Sequence, residues 1–284
     1  MPSDSGAILP PKVSAGSDFG RNRARADSRR VALDLTKFFL VVAAVAGLLA
    51  VGTERLGYHW QWYRMPRYLV RIGDGGWRPG PLLDGVLITF KISGLSLILC
   101  FSFGLVAALF RLSHSYLARL LARLYVELIR NTPLLVQIFF IYFVLGPVLG
   151  ITRFTSAVLA LSLFEGAYAA EIFRAGILSI PRGQWEAARS LGLSTYKCYR
   201  AVILPQAVRH VLPPLTSQAI SLVKDSALVS TIAIYDLTMQ GQAIIAETFL
   251  TFEVWFTVAA IYLIITVILS ILVNVMENRL RVTG

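Results

Sequence analysis

Ionisable and amide side chains stand in this sequence where their surroundings are otherwise apolar. Glu165, Tyr168, Glu171 and Arg174 share one apolar block, Lys224 and Asp225 interrupt a second, and Gln137 lies in a third. A charge at membrane depth is costly and is kept where it faces a bundle interior, a partner or a wet path. Glu171 and Arg174, three residues apart, fall on one helical face and can neutralise each other. Glu165 and Tyr168 share a different face that could line a pathway. Lys224 and Asp225 diverge by about 100° around a helix, so they do not pair with each other. One acid and one base beside a cavity would suit a zwitterion; the competing reading is helix packing, or snorkelling to the interface. Gln137 has the same two readings, ligand contact or hydrogen bonding between helices.

Other chemistries lack their residues. No Gly-Lys pair occurs, so there is no P-loop to cradle a nucleotide phosphate. Neither Gly-x-Ser-x-Gly nor His-Glu-x-x-His is present. His59, His114 and His210 are far apart, and Cys100 and Cys198 have no metal-ligand spacing. The expectation is a chain that is not an enzyme and holds no cofactor or metal of its own.

The elements that must position these side chains are membrane helices. Hydrophobic residues make up 56% of the 284 residues and charged ones 15%, against about 25% charged in soluble domains. The apolar residues come in blocks near the length needed to cross a bilayer. These cover 35–53, 86–110, 134–151, 154–178, 212–234 and 254–276, predicting an all-α membrane protein of about six transmembrane helices. Residues 1–34 read as a basic tail without a core. Residues 35–53 could end a cleaved leader at Ala50-Val51-Gly52, but the long basic region before them favours an uncleaved helix. Residues 54–85 mix Tyr58, Trp60, Trp62, Tyr63, Tyr68 and Trp77 with arginines, the pattern of a segment lying along the membrane surface.

The formal charge of +11 belongs to topology and not to nucleic acid. With the N-terminus inside, the inner segments carry the tail arginines, Arg111, Arg119, Arg123, Arg130, Arg182, Arg189, Lys197, Arg200, Arg209, Arg279 and Arg281. The outer ones carry Arg153 and the arginines of the 54–85 loop, the one dissent from the positive-inside pattern. Both termini are therefore expected in the cytoplasm.

The longest polar interruption on the inner side runs over residues 179–211. Pro181 suits a helix start, Trp185 to Leu191 favour a short helix, and Gly192 is a natural terminator. Ser194 or Thr195 could cap a second helix ending before Pro205. Within this loop, Glu186-Ala187-Ala188, then Gly192, then Val202-Ile203-Leu204-Pro205 resembles the EAA loop of ABC importer permeases. Val202 stands where that pattern more often has isoleucine. Two further stretches are similar to polar amino acid permeases: Tyr125-Val126-Glu127-Leu128-Ile129-Arg130-Asn131-Thr132-Pro133-Leu134, and Glu165-Gly166-Ala167-Tyr168-Ala169-Ala170-Glu171.

The resemblance covers roughly residues 82 to 280 and implies a five-helix permease core, 86–280, with one additional N-terminal helix. It implies that Glu186, Ala187, Ala188, Arg189, Leu191, Gly192, Leu204 and Pro205 couple the core to an ATPase. In that reading Glu186 caps or orients the coupling helix, the alanines allow close docking, and Gly192 makes the turn. Gln137, Glu165, Tyr168, Lys224 and Asp225 are the candidates for a substrate pathway. The implied partners are ABC ATPase subunits that use ATP and Mg, a second permease copy or paralogue, and an extracytoplasmic amino acid-binding protein. Amino acid substrate and membrane lipid complete the set, in a bacterial inner membrane. The alternative is an ion-coupled secondary transporter of amino acids with the buried acids as its coupling site. A membrane anchor that docks a partner without flux is a further rival.

Overall fold

A computed structural model describes residues 35–45, 47–48, 50–52, 57–73 and 76–281, in two units that divide after Trp60. The expected basic tail, residues 1–34, lies outside the described residues. The first unit contributes α1 (Leu35–Gly52), 18 residues of mean hydropathy 2.2. At 1.5 Å per residue such a helix reaches about 27 Å, close to the hydrocarbon thickness.

The second unit opens with a 3-10 turn (Trp62–Arg64), α2 (Pro66–Leu69) and an antiparallel hairpin of β1 (Val70–Gly73) and β2 (Gly76–Pro79). There follow α3 (Pro81–Leu112), α4 (Tyr116–Arg130), α5 (Leu134–Phe139), a π-helical stretch (Phe140–Leu145), α6 (Gly146–Leu149) and α7 (Arg153–Leu178). Two short helices, α8 (Arg182–Ser190) and α9 (Thr195–Cys198), lead through a π segment (Tyr199–Ile203) into α10 (Leu204–Asp225). A 3-10 stretch (Ser226–Ile232), α11 (Leu237–Thr248) and α12 (Thr251–Arg281) complete the chain. The fold is all-α apart from the small hairpin.

Among the described residues, α1, α3, α7 and α12 are each long and apolar enough to cross a membrane. The pair α4 and α5–α6, bent by 108°, makes a fifth if counted as one span. Length and composition thus give four or five spans, not the expected six. The difference lies at 212–234. Helix α10 starts at Leu204 and carries Arg209, His210, Gln218, Lys224 and Asp225, which dilute its apolar content. At 12 residues, α11 is only about 18 Å long, too short to span.

Boundaries also shift where capping decides them. Gly80 is the N-cap of α3 with Pro81 in its first turn, so residues 81–85 are helical and not part of the preceding loop. Helix α4, which the sequence reading left inside a connecting segment, is amphipathic. Ser115 caps it by accepting from the Ala118 N–H at 3.3 Å, Ala122 and Val126 are buried, and Arg119, Arg123 and Arg130 are exposed.

Helix α7 forms the middle of the bundle and packs along α3 on one side and α10 on another. Small residues bring the backbones together, the usual device where lipid leaves no hydrophobic drive between helices. A β-carbon on Gly104 of α3 would lie 2.7 Å from that of Ala169, and one on Gly176 of α7 would collide with the Val211 side chain of α10. The largest apolar cluster joins Ile92 of α3, Ile138 of α5, Leu161 of α7 and Val229. A second cluster joins Met65, Leu82, Leu237, Leu250 and Val254 at the start of α3.

Candidate functional site

The 179–211 loop folds as a helical hairpin with a core of its own. Pro181 precedes α8, and its extended backbone (ψ 141°) sets the entry. The helix ends in a reciprocal pair of backbone bonds: Leu193 N–H to Ala188 O at 3.2 Å and Gly192 N–H to Arg189 O at 2.9 Å. This closure needs a left-handed residue, and Gly192 supplies it at φ 71°. Ser194, rather than Thr195, then caps α9 by accepting from the Lys197 N–H.

One expectation fails here: the second helix does not end before Pro205. Proline lacks the N–H that would bond the carbonyl four residues back, and its ring crowds that carbonyl. The π segment Tyr199–Ile203 widens the backbone just before it, and Pro205 falls in the first turn of α10, so the helix continues.

Two faces of α8 do different things. Ala188 is buried with Ile177, Ile180, Cys198, Ile203 and Ala207, and Trp185 meets the Tyr199 ring edge to face at 4.9 Å. Ser179 bonds His210 at 2.7 Å, tying the start of the loop to α10. Glu186, Ala187, Arg189 and Leu191 lie on the outside, with Leu191 79% exposed. Glu186 caps nothing: it stands in the middle of α8, whose N-cap is Pro181. Ala188 serves the loop's own packing, which leaves Ala187 as the small residue on the open face. Leu204 and Pro205 are also exposed, further along on α10.

Within the bundle the polar residues fall into two groups. On α7, Glu171 accepts from Arg174 Nε at 3.0 Å and Nη2 at 2.8 Å, as the spacing predicts, and it also pairs with Arg111 of α3. The charge pattern alone gives Arg111 a role only in topology. Its position at the last turn of α3 was visible in the sequence, but its packing against α7 was not.

The second group surrounds Glu165, which is fully buried on α7. One carboxylate oxygen accepts from the Gln218 amide of α10, the other is buried without a hydrogen-bond partner, and Asp225 is its acidic neighbour electrostatically. Gln218 escaped the sequence reading. It stands seven residues before Asp225, two helical turns, and this shared face was the available signal.

The remaining candidates separate. Lys224 is exposed and Asp225 half-buried. Tyr168 meets Phe164 in a tilted pair, 52° between ring planes and 5.2 Å between centroids, with Arg130 5.0 Å from its own ring centroid. Gln137 holds the bend between α4 and α5: its amide donates to Ile129 O at 2.7 Å, Thr132 Oγ1 at 2.9 Å and Thr132 O at 3.0 Å. These bonds act on the turn that joins the two helices, while the amide oxygen of Gln137 is buried without a hydrogen-bond partner.

Residues 101–282 match the family of binding-protein-dependent transport system inner membrane components. The chain is 43% identical over 210 residues to the glutamine transport system permease protein GlnP of Escherichia coli (strain K12), covering 72% of this chain and 96% of that protein. It is 44% identical over 204 residues to the L-cystine transport system permease protein TcyB of Bacillus subtilis (strain 168), covering 70% and 87%. A solved amino acid ABC transporter with histidines shares the fold at a TM-score of 0.67 and 40% identity, over 70% of this chain and 94% of that one. An inward-facing methionine transporter (MetNI) has the same fold at a TM-score of 0.59 and 21% identity, covering 70% and 95%. Fold and relatives converge: this chain belongs to the family of inner membrane components of binding-protein-dependent transport systems, as a permease subunit of an ABC importer.

Proposed function

We propose that this subunit imports polar amino acids handed over by an extracytoplasmic binding protein, driven by ATP that a partner subunit hydrolyses with Mg. The observation that carries this reading is the division of α8 into a face packed on the chain's own core, through Ala188, and an outward face of Glu186, Ala187, Arg189 and Leu191. An exposed leucine on a rigid helical hairpin fits a docking element. The backbone closure at Gly192 makes the hairpin stiff enough to transmit a push. Glutamine and cystine, named for two relatives, are both polar amino acids, and this supports the substrate class.

In the mechanism, closure of the ATPase dimer displaces the α8–α9 hairpin. Because α9 runs without interruption through the π segment into α10, the displacement is passed to the helix that carries Gln218 and Asp225 opposite Glu165. The spans then rock to expose the pathway to the other side. The termini face the cytoplasm, and a second permease copy or paralogue completes the pathway.

The test is purification of the tagged importer from its host, wild type against Gly192→Asp. A P-loop ATPase should co-purify with the wild type and be lost from the variant, which still inserts in the membrane. Normal assembly and uptake by the variant would remove the hairpin from the coupling role. Uptake that collapses with the ion gradient at constant ATP would favour the ion-coupled alternative.

A further inference from the structure

The family match begins at residue 101, downstream of the segment that precedes α3. That segment, Gln61 to Gly80, carries Arg64, Arg67, Arg71 and Arg78 against Asp74 alone. It is firmly rooted. Met65 is buried against Leu82, Leu237 and Leu250, Gly80 N–H bonds Leu69 O at 2.7 Å, and the Gln61 N–H donates to Glu253 at 2.6 Å. Trp62 meets Phe256 of α12 at 6.3 Å. The segment is therefore held at the ends of two long apolar helices, α3 and α12, where a bilayer's hydrocarbon gives way to headgroups.

The hairpin has two unlike sides. Arg71 pairs directly with Arg78 across the strands, and Val70 pairs with Pro79 on the opposite side, which Trp77 shares. Like charges placed opposite each other on a ladder repel and destabilise it. Both arginines are exposed, and among the described residues neither has a hydrogen-bond or ion-pair partner. Two planar guanidiniums side by side match the oxygens of one phosphate. In the same segment Tyr63 is 80%, Trp77 78% and Trp62 47% exposed, which would be poor design in water but suits rings that sit among headgroups.

We propose that Arg71 and Arg78 form a seat for the phosphate of an anionic phospholipid, with Trp62, Tyr63 and Trp77 set in the surrounding headgroup layer. The lipid relieves the cross-strand repulsion, and the seat fixes the depth at which α3 enters the bilayer. This accounts for arginines that the topology rule does not. It rests only on the chain spanning a membrane, not on the side the loop faces or on the substrate carried.

The test is native mass spectrometry of the intact, detergent-purified importer titrated with phosphatidylglycerol, phosphatidylcholine and inorganic phosphate. Arg71→Gln/Arg78→Gln should weaken phosphatidylglycerol retention about 30-fold, the effect of two arginines near a charged surface. Phosphatidylcholine retention should hardly move. Arg71→Lys/Arg78→Lys keeps the charge but loses the planar fork, so its retention should fall between the wild type and the glutamine pair, and Arg71→Gln alone should cost about 5-fold. Arg119→Gln/Arg123→Gln, on exposed α4, should leave it unchanged. Unaltered retention in the hairpin variant, or an equal loss in the α4 variant, would overturn the seat. So would competition by inorganic phosphate at the lipid's own affinity. A hairpin variant that keeps its lipid but no longer captures the purified binding protein would show a protein-docking surface in its place.

Discussion

Two carboxylates on α7, six residues apart, live in opposite surroundings. Glu171 is held by Arg174 from its own helix and Arg111 from α3. Glu165 faces an amide and another acid, and one of its oxygens is buried without a hydrogen-bond partner. The first arrangement satisfies a charge and clamps two helices. The second leaves polar capacity unused between the two helices that the proposed hairpin motion would separate. A half-satisfied buried network is costly to the fold, so its retention points to work done elsewhere in the cycle, whereas the Glu171 triad is explained by the fold alone.

The largest effect should come from Glu171→Gln. It leaves Arg111 and Arg174 facing each other without the anion between them. Removing one partner of a buried ion pair costs about 3 kcal/mol, and these side chains are only 17 to 31% exposed. Thermal unfolding in detergent should show a clear drop, with the residual uptake per folded molecule near normal. A variant as stable as the wild type would break the comparison at its structural end.

Next in size is the contact between α7 and α10. Gly176→Ala drives a methyl into Val211, and overpacking of this kind costs about 1 to 3 kcal/mol. Gly176→Ala combined with Val211→Ala should recover most of the loss, because the two sites share one space. Absence of recovery would mean that the helices do not approach here as described.

Glu165→Gln should separate fold from function. The amide keeps the shape, so stability should change by no more than about 1 kcal/mol, while uptake should fall at least about 10-fold if the cluster lines the path, a barrier change near 1.4 kcal/mol. Asp225→Asn should behave alike, and the double variant should lose less than the sum of the two, since they face one another. Parallel losses of stability and uptake would place Glu165 with Glu171 as a structural group.

Much of this was legible from residue types. The apolar blocks placed α3, α7 and α12 nearly correctly, the i,i+3 spacing found the Glu171–Arg174 pair, and Gly192 announced its own left-handed turn. Local readings failed where proline decides. Pro205 looks like a breaker, yet α10 runs through it, as it does through Pro213 and Pro214 within the expected 212–234 span. A π segment before Pro205 absorbs the strain there. Helix α4 was missed because its arginine face interrupts any hydropathy window. The partners across helices, Arg111 for Glu171 and Gln218 for Glu165, belong to tertiary packing. Periodicity orders residues around one helix and says nothing of which neighbour turns toward them.

The smallest effect should come from Lys224→Gln, and it bears on the sequence's most tempting pairing. Adjacent acid and base suggested a site for both ends of an amino acid. In the fold Asp225 is half-buried and acts electrostatically on Glu165, while Lys224 is exposed. An exposed substitution away from packing usually moves stability by less than about 0.5 kcal/mol. Lys224→Gln should accordingly leave unfolding unchanged and uptake within about 2-fold, set against the larger deficit of Asp225→Asn. Equal uptake losses in the two variants would restore the paired site, and would place Lys224 on a surface that meets substrate only once a second permease subunit is in place. Unequal losses leave the acids and Gln218 as the polar path. A cluster of that composition favours the ammonium end of an amino acid over its carboxylate.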